Sequence, residues 1–286
     1  MLRKNPTTKR KFTIILLRIL LEIIGYTLAL FIGLSLGLVG SGGTILAVPI
    51  LVYLFHITNM QEATHYSMFI VGTTAFIGAY KKYQEQLVDL NTALYFSIPS
   101  LISLFLTRKI ILPLIPNELF QFENFHFTKD IFLLILFAVV MLFASFSMFK
   151  SAQQQDVDCF AKTPTNDNHF KTSVAAVFVG MLTGLLGAGG GFLIVPVLIL
   201  LKNHCMKRAT GTSLIIITAN SLFGFIGDLH TQINWHIVLL FSTIAIFGML
   251  IGIRLSEKIE GDILKKMFSI MVLAIGIYII VKEIFL

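Results

Sequence analysis

Residues Gly33–Pro49 read GLSLGLVGSGGTILAVP, and residues Gly180–Pro196 read GMLTGLLGAGGGFLIVP. Laid over one another without gaps, nine of the seventeen positions are identical: Gly33/Gly180, Gly37/Gly184, Leu38/Leu185, Gly40/Gly187, Gly42/Gly189, Gly43/Gly190, Leu46/Leu193, Val48/Val195 and Pro49/Pro196. The echo continues downstream with small gaps. Ala63–Thr64 and Ser67 answer Ala209–Thr210 and Ser213, and Val88–Asp89–Leu90–Asn91 resembles Ile233–Asn234–Trp235–His236. Phe96–Ser97 matches Phe241–Ser242, and Arg108 and Arg254 each end the helix that follows. Shared composition gives two Gly-rich stretches a few matches. It does not give glycines at the same intervals with a proline in register. We read the chain as a duplication.

The medium around this motif follows from composition. Of 286 residues, 56% are hydrophobic and only 13% are charged, with 26 phenylalanines. Soluble domains carry about 25% charged residues. A mean hydropathy of +0.86 is more apolar surface than one aqueous core can hide, so part of it must face lipid. Hydrophobic runs fill the chain: Phe12–Phe55, Ala63–Tyr80, Thr92–Ile115, Ile131–Phe149, Thr172–Leu201, Gly211–Gly227, His236–Ile253 and Met267–Val281. A bilayer core takes about 20 apolar residues per helix. Six runs suit single helices. The first and fifth are longer, and each holds a Gly cluster followed by a Pro. No strand-like alternation is visible, and lipid admits only helices or closed barrels. The expected class is an all-α polytopic bundle of about eight transmembrane helices in two halves.

Boundaries follow from charge. Residues 1–11 form a basic cytoplasmic leader, 12–149 the first membrane repeat, 150–171 a polar linker rich in Gln, Asp and Asn, and 172–286 the second repeat. The net charge of +7, with Arg3, Lys4, Lys9, Arg10, Lys11 and Arg18 near the start, marks a membrane flank rather than a nucleic-acid partner. The apolar run after the leader is too long for a signal-peptide core and is read as retained. If each broken run crosses once, eight spans result and the halves are parallel units. Lys202, Lys207, Arg208, Arg254, Lys258, Lys265 and Lys266 then face outside, against the positive-inside rule. If Phe12–Phe55 crosses twice, nine spans move those residues inside. The two cysteines, Cys159 and Cys205, have no paired spacing and are read as free thiols. No metal or cofactor is expected.

The repeated motif carries the chemistry. Gly187 and Gly189 to Gly191 can hardly continue a regular helix. Unpaired backbone groups in lipid cost several kcal/mol each, so a break belongs where it faces protein or a polar cavity. If helix restarts after the break, its first N–H groups and positive dipole end point into that cavity and bind anions. The candidate substrate site is Gly40, Ser41, Gly42, Gly43, Thr44, Gly187, Gly189, Gly190 and Gly191, with Ser67 and Ser213. The outer pairs Gly33–Gly37, Gly180–Gly184 and Gly248–Gly252 are GxxxG spacings, which serve close helix packing. Neither cluster carries a Walker Lys-Ser/Thr or a dinucleotide acidic partner. Ser41 with His65 or His230 offers an intramembrane hydrolase as an alternative, although no GxSxG surrounds it. A membrane assembly protein that does not transport is another. Arg18 and Glu22 share a helix face and can pair. Asp228 lies near a span end, and Arg108 and Arg254 suit interfacial anchors.

The pair GLVGSGGTILAVP and GLLGAGGGFLIVP, each followed by Ala-Thr-x-x-Ser at Ala63–Ser67 and Ala209–Ser213, resembles the signature of the TauE/SafE family, also called the toluene-sulfonate uptake permease family. The resemblance runs from about Gly25 to the end. It implies a permease, not an enzyme, that moves small organic or sulfur-containing anions across the inner (plasma) membrane. Thr44 stands where the third glycine belongs and Ser41 sits within the first run, so the half-sites need not be equivalent.

Overall fold

A glycine one turn from another leaves a helix face flat enough for a second backbone to lie against it. The structure, a computed structural model, uses that device three times. It describes residues 24–54, 60–116, 118–122, 125–151, 169–186, 191–202, 204–227 and 233–285. Helix α1 (Ile24–Val39) lies along α10 (Trp235–Lys258). A side chain on Gly33 would strike the Ala245 carbonyl, and one on Gly37 the Met249 carbonyl. From the other side, Gly248 and Gly252 meet the Leu30 and Leu34 carbonyls. Helix α7 (His169–Leu186) meets α4 (Leu90–Leu106) in the same way. Gly180 abuts the Ser100 carbonyl, and a Cβ on Gly184 would stand 2.8 Å from Thr107 Cβ. The packing reading of these outer glycines therefore holds.

Contacts also fix the directions of the helices. Along α3 (Met60–Gln84) and α9 (Met206–Gly227), Gly72 meets Ser221 and Leu222, Gly78 meets Leu214, and Lys82 meets Gly211. Rising numbers on one helix meet falling numbers on the other, so α3 and α9 are antiparallel. Ser100 meets Asn220 and Leu104 meets Gly224, so α4 and α9 are parallel. Helix α6 (Lys129–Ser151) packs on α11 (Gly261–Phe285).

The first long run does not cross as one interrupted helix. α1 ends at Val39, and α2 (Gly42–Leu54) turns back beside it. Gly43 abuts the Ile32 carbonyl, and its Cβ would lie 2.9 Å from Leu36 Cβ. In a continuous helix, residues 32 and 43 would be about 16 Å apart. Helix α8 (Gly191–Lys202) follows α7 in the second half.

Five helices among the described residues are long and apolar enough to cross a membrane: Leu90–Leu114, Lys129–Lys150, Met206–Gly227, Trp235–Lys258 and Asp262–Lys282. Shorter apolar helices cover Ile24–Val39, Gly42–Val52, Phe170–Leu186 and Leu193–Lys202. α3 is long enough, but Glu62, His65, Lys81 and Lys82 make it more polar. Leu90–Leu114 runs from α4 through a π-helical stretch, Thr107–Ile111, into the single turn α5 (Leu112–Leu114). The outer surface is apolar: Phe143, Phe146 and Phe170 are each about three-quarters exposed. Such a surface is tolerable only in lipid, and the chain is a multi-pass helical membrane protein.

Two findings depart from the sequence reading. Strands β1 (Glu118–Phe122) and β2 (Phe125–Thr128) form an antiparallel hairpin ahead of α6. The pair is too short and irregular to register as alternation in an otherwise apolar sequence. Cys205 is disulfide-bonded rather than free. Without a recognised spacing, sequence gives no pairing signal. The leader with Arg18 and Glu22, the linker segment 152–168 with Cys159, and Asp228 and His230 lie outside the described residues.

Candidate functional site

Gly40 closes the last turn of α1 with its N–H on the Leu36 carbonyl at 2.7 Å, then leaves the helix at φ +75°. Left-handed backbone of that kind favours glycine. Space demands it as well: a Cβ would stand 2.8 Å from Thr210 Cα and 2.9 Å from its carbonyl oxygen.

The start of α9 therefore seats directly on the break. There it caps the acceptors that the end of α1 leaves open. The Thr210 hydroxyl lies 3.2 Å from the Val39 carbonyl, and the Ser213 hydroxyl 3.2 Å from the Gly40 carbonyl. Both also reach carbonyls of their own helix, Met206 at 2.9 Å and Thr210 at 2.8 Å.

The donor side is built differently. α2 begins at Gly42, so the Gly42 and Gly43 N–H groups have no acceptor inside the helix. The Thr44 N–H and hydroxyl both donate to the Ser41 carbonyl, at 3.2 and 2.7 Å. Ser41 is fully buried, and its hydroxyl has no hydrogen-bond partner among the described residues. One hydroxyl and two backbone donors thus lie at the start of α2, where its dipole is positive.

The two motifs meet. A Cβ on Gly191, the first residue of α8, would lie 2.8 Å from the Thr44 methyl and 2.6 Å from Ile217 Cδ1. The first turn of α2 and the start of α8 are therefore in contact beside the middle of α9. Of the expected site residues, Gly40, Ser41, Gly42, Gly43, Thr44, Gly191 and Ser213 come together. Gly187, Gly189 and Gly190 lie outside the described residues. Ser67 is buried with its hydroxyl on the Thr64 carbonyl at 2.9 Å. Arg254 is exposed on α10.

His65 does not serve Ser41. It stacks on Phe225 with ring centroids 4.5 Å apart, at the far end of α9. Phe225 is twelve residues beyond Ser213, about 18 Å along the helix. An apolar groove of about 610 Å³, lined by Phe76, Tyr80, Tyr83, Leu222 and Phe223 among others, lies between α3 and α9 and does not include the break.

Sequence reasoning missed two clusters. Asp89 caps α4, accepting from the Thr92 N–H at 3.1 Å and the Thr92 hydroxyl at 2.8 Å. His204 Nε2 stands 3.3 Å from Asp89 Oδ2, the oxygen that also accepts from the Thr92 hydroxyl, and the Asp89 N–H donates to the Thr212 hydroxyl at 3.0 Å. Hydrogen bonding from His204, and then from Thr92, outweighs burial and holds the Asp89 carboxyl well below the usual carboxylate range. The matching contact elsewhere has the Asn234 N–H donating to the Tyr66 hydroxyl at 3.0 Å. The second cluster is neutral: Ser97 and Ser100 on α4, and Asn220 and Ser221 on α9. The stretch Thr218–Ala219–Asn220–Ser221 inside an apolar run is the signal the sequence carries for it.

The family model described as "Sulfite exporter TauE/SafE" matches residues 26–279. A probable membrane transporter protein of Xylella fastidiosa is 29% identical over 262 residues, covering 87% of this chain and 91% of the relative. The probable membrane transporter protein YunE of Bacillus subtilis is 28% identical over 278 residues, covering 91% and 99%. One from Methanocaldococcus jannaschii is 23% identical over 286 residues, covering 95% and 98%. No solved structure gives a significant match. The match spans α1 to α11 and takes in both Gly motifs, and the chain belongs to the sulfite exporter TauE/SafE family.

Proposed function

We propose that this membrane transporter is a secondary permease for a small organic or sulfur-containing anion, with the substrate held where α2 and α8 begin. The observation that carries the reading is the unequal treatment of the break. Its carbonyls are reached by the Thr210 and Ser213 hydroxyls, whereas its first N–H groups have no acceptor inside the helix and the Ser41 hydroxyl has no partner among the described residues. A buried site that satisfies its own acceptors and leaves donors at a positive helix end suits an oxyanion.

The same reading takes residues 12–149 and 172–286 as inverted repeats in the inner membrane. It is supported by matched contacts: Gly33 on Ala245 answers Gly180 on Ser100, and Gly37 on Met249 answers Gly184 on Leu104. The equivalent helices α3 and α9 run in opposite directions, as inversion requires. Alternating access then consists of one half rocking against the other around the fixed site.

The test is flux into proteoliposomes with a panel of sulfite, alkyl and aryl sulfonates, and carboxylates. Uptake of at least one anion that saturates and competes within the panel is expected. Absence of saturable uptake for the whole panel, with folded protein in the bilayer, refutes the anion reading.

A further inference from the structure

Three polar side chains lie deep in the bundle with hydrogen-bonding capacity that nothing in the described residues uses: Ser97 Oγ, Asn220 Nδ2 and Ser221 Oγ. Asn220 and Ser221 are fully buried, and Ser97 is 7% exposed. Unpaired polar atoms in a membrane interior are costly, and three in one place call for a reason.

Their placement supplies one. Asn220 Oδ1 accepts from the Ser100 hydroxyl at 3.0 Å, which fixes the carboxamide and leaves its N–H₂ group free to donate elsewhere. Helical side chains tilt toward the helix N-terminus. On α9 that tilt carries the amide toward Ile217, whose Cδ1 lies against Gly191. α4 runs parallel to α9 with Ser100 opposite Asn220, so Ser97, one turn earlier, stands at the Ile217 level. Ser221 faces Gly72 on α3. The first residue of α8, in contact with Ile217, therefore lies within about one helical turn of neutral donors from two helices.

The matching positions in the other half are silent. Thr74 answers Asn220, and its hydroxyl bonds the Ile70 carbonyl at 2.6 Å. Ser242 answers Ser97 and bonds the Val238 carbonyl at 2.8 Å.

We propose that Ser97, Asn220 and Ser221 form a neutral hydrogen-bonding pocket beside Gly191 that receives oxygens of a small oxyanion. The proposal rests on the anion-transport reading above and names the side chains that grip the substrate. All the groups donate without adding charge, so the anion is held by aligned dipoles and can be released.

The test labels Ser97→Cys and Ser221→Cys variants in proteoliposomes with two reagents of similar size. One is anionic, 2-sulfonatoethyl methanethiosulfonate. The other is cationic, 2-(trimethylammonium)ethyl methanethiosulfonate. The unmodified chain serves as the blank. At least tenfold faster labelling by the anionic reagent, slowed by added methanesulfonate, is expected. Adding Asn220→Asp should reverse the preference. Equal labelling, or faster cationic labelling, overturns the proposal. So does labelling by neither reagent until the protein is denatured, since the cluster is then sealed packing. Flux measured on the same vesicles separates the two claims. Anion flux without labelling removes this pocket and leaves the transporter. Charge-selective labelling without flux of any panel anion does the reverse.

Discussion

Replacing Gly40 by Ala is the sharpest test of the hairpin turn. Two costs add. An L-residue held in left-handed backbone loses about 1–2 kcal/mol, and Gly40 sits at φ +75°. The new methyl would also enter a space bounded by Thr210, 2.5 Å from Cγ2, 2.8 Å from Cα and 2.9 Å from the carbonyl oxygen. Overpacking of that order costs about 1–3 kcal/mol, and the total is about 2–5 kcal/mol. Thr210→Ser in the same chain removes only the Cγ2 contact and should recover the smaller part. The Thr210 backbone cannot withdraw without dragging the start of α9. Gly276→Ala is the control, since its Cβ would meet Leu142 Cδ2 at 3.3 Å and the Ala138 carbonyl at 3.4 Å. That change should be neutral or stabilising by up to about 1 kcal/mol. Thermal unfolding of detergent-purified protein, read as the fraction surviving size exclusion, ranks the variants. Gly40→Ala melting with the wild type would refute both the turn conformation and the α9 seat.

Other outcomes follow from the same contacts. Ser41→Ala should weaken half-saturation for transport by about 2- to 12-fold, from a neutral hydrogen bond of about 0.5–1.5 kcal/mol, or more if the bond is to a charged oxygen. It should leave melting unchanged or raised, because the lost hydroxyl has no partner among the described residues; an unchanged half-saturation removes Ser41 from the site. Gly191→Ala should slow uptake by pressing on the Thr44 methyl and Ile217, and Thr44→Ser should partly restore the rate. No rescue would count against the contact between the motifs. Asp89→Asn keeps a good N-cap but loses the charge that His204 stabilises. The carboxyl is depressed in the folded state, so its contribution is present above the ordinary carboxylate pKa of about 3.9 and fades as pH falls below it. Melting curves of the variant and wild type should therefore stay apart from pH 7 to 5 and converge toward pH 3. A gap that widened in acid would reverse the assigned sign.

Much was legible in the sequence, because membranes make sequence explicit. Lipid offers backbone groups no partners, so apolar runs such as Ile131–Phe149 declare helices by length alone. A glycine cluster such as Gly40–Gly43 declares a break because regular helix there is unfavourable. The GxxxG pairs at Gly33, Gly180 and Gly248 announced close crossings for the same local reason. What the sequence could not decide was direction and company. Whether helix resumes straight ahead or turns back after Gly40 depends on Thr210 and Ser213, more than 160 residues away in sequence, reaching the Val39 and Gly40 carbonyls. The Asp89–His204 pair and the Ser100–Asn220 bond likewise join residues more than 100 positions apart. Each is polar, short and locally unremarkable. Their meaning arises only when two helices bring unpaired atoms together, since a buried hydrogen-bonding group is defined by what stands opposite it and not by its neighbours in the chain.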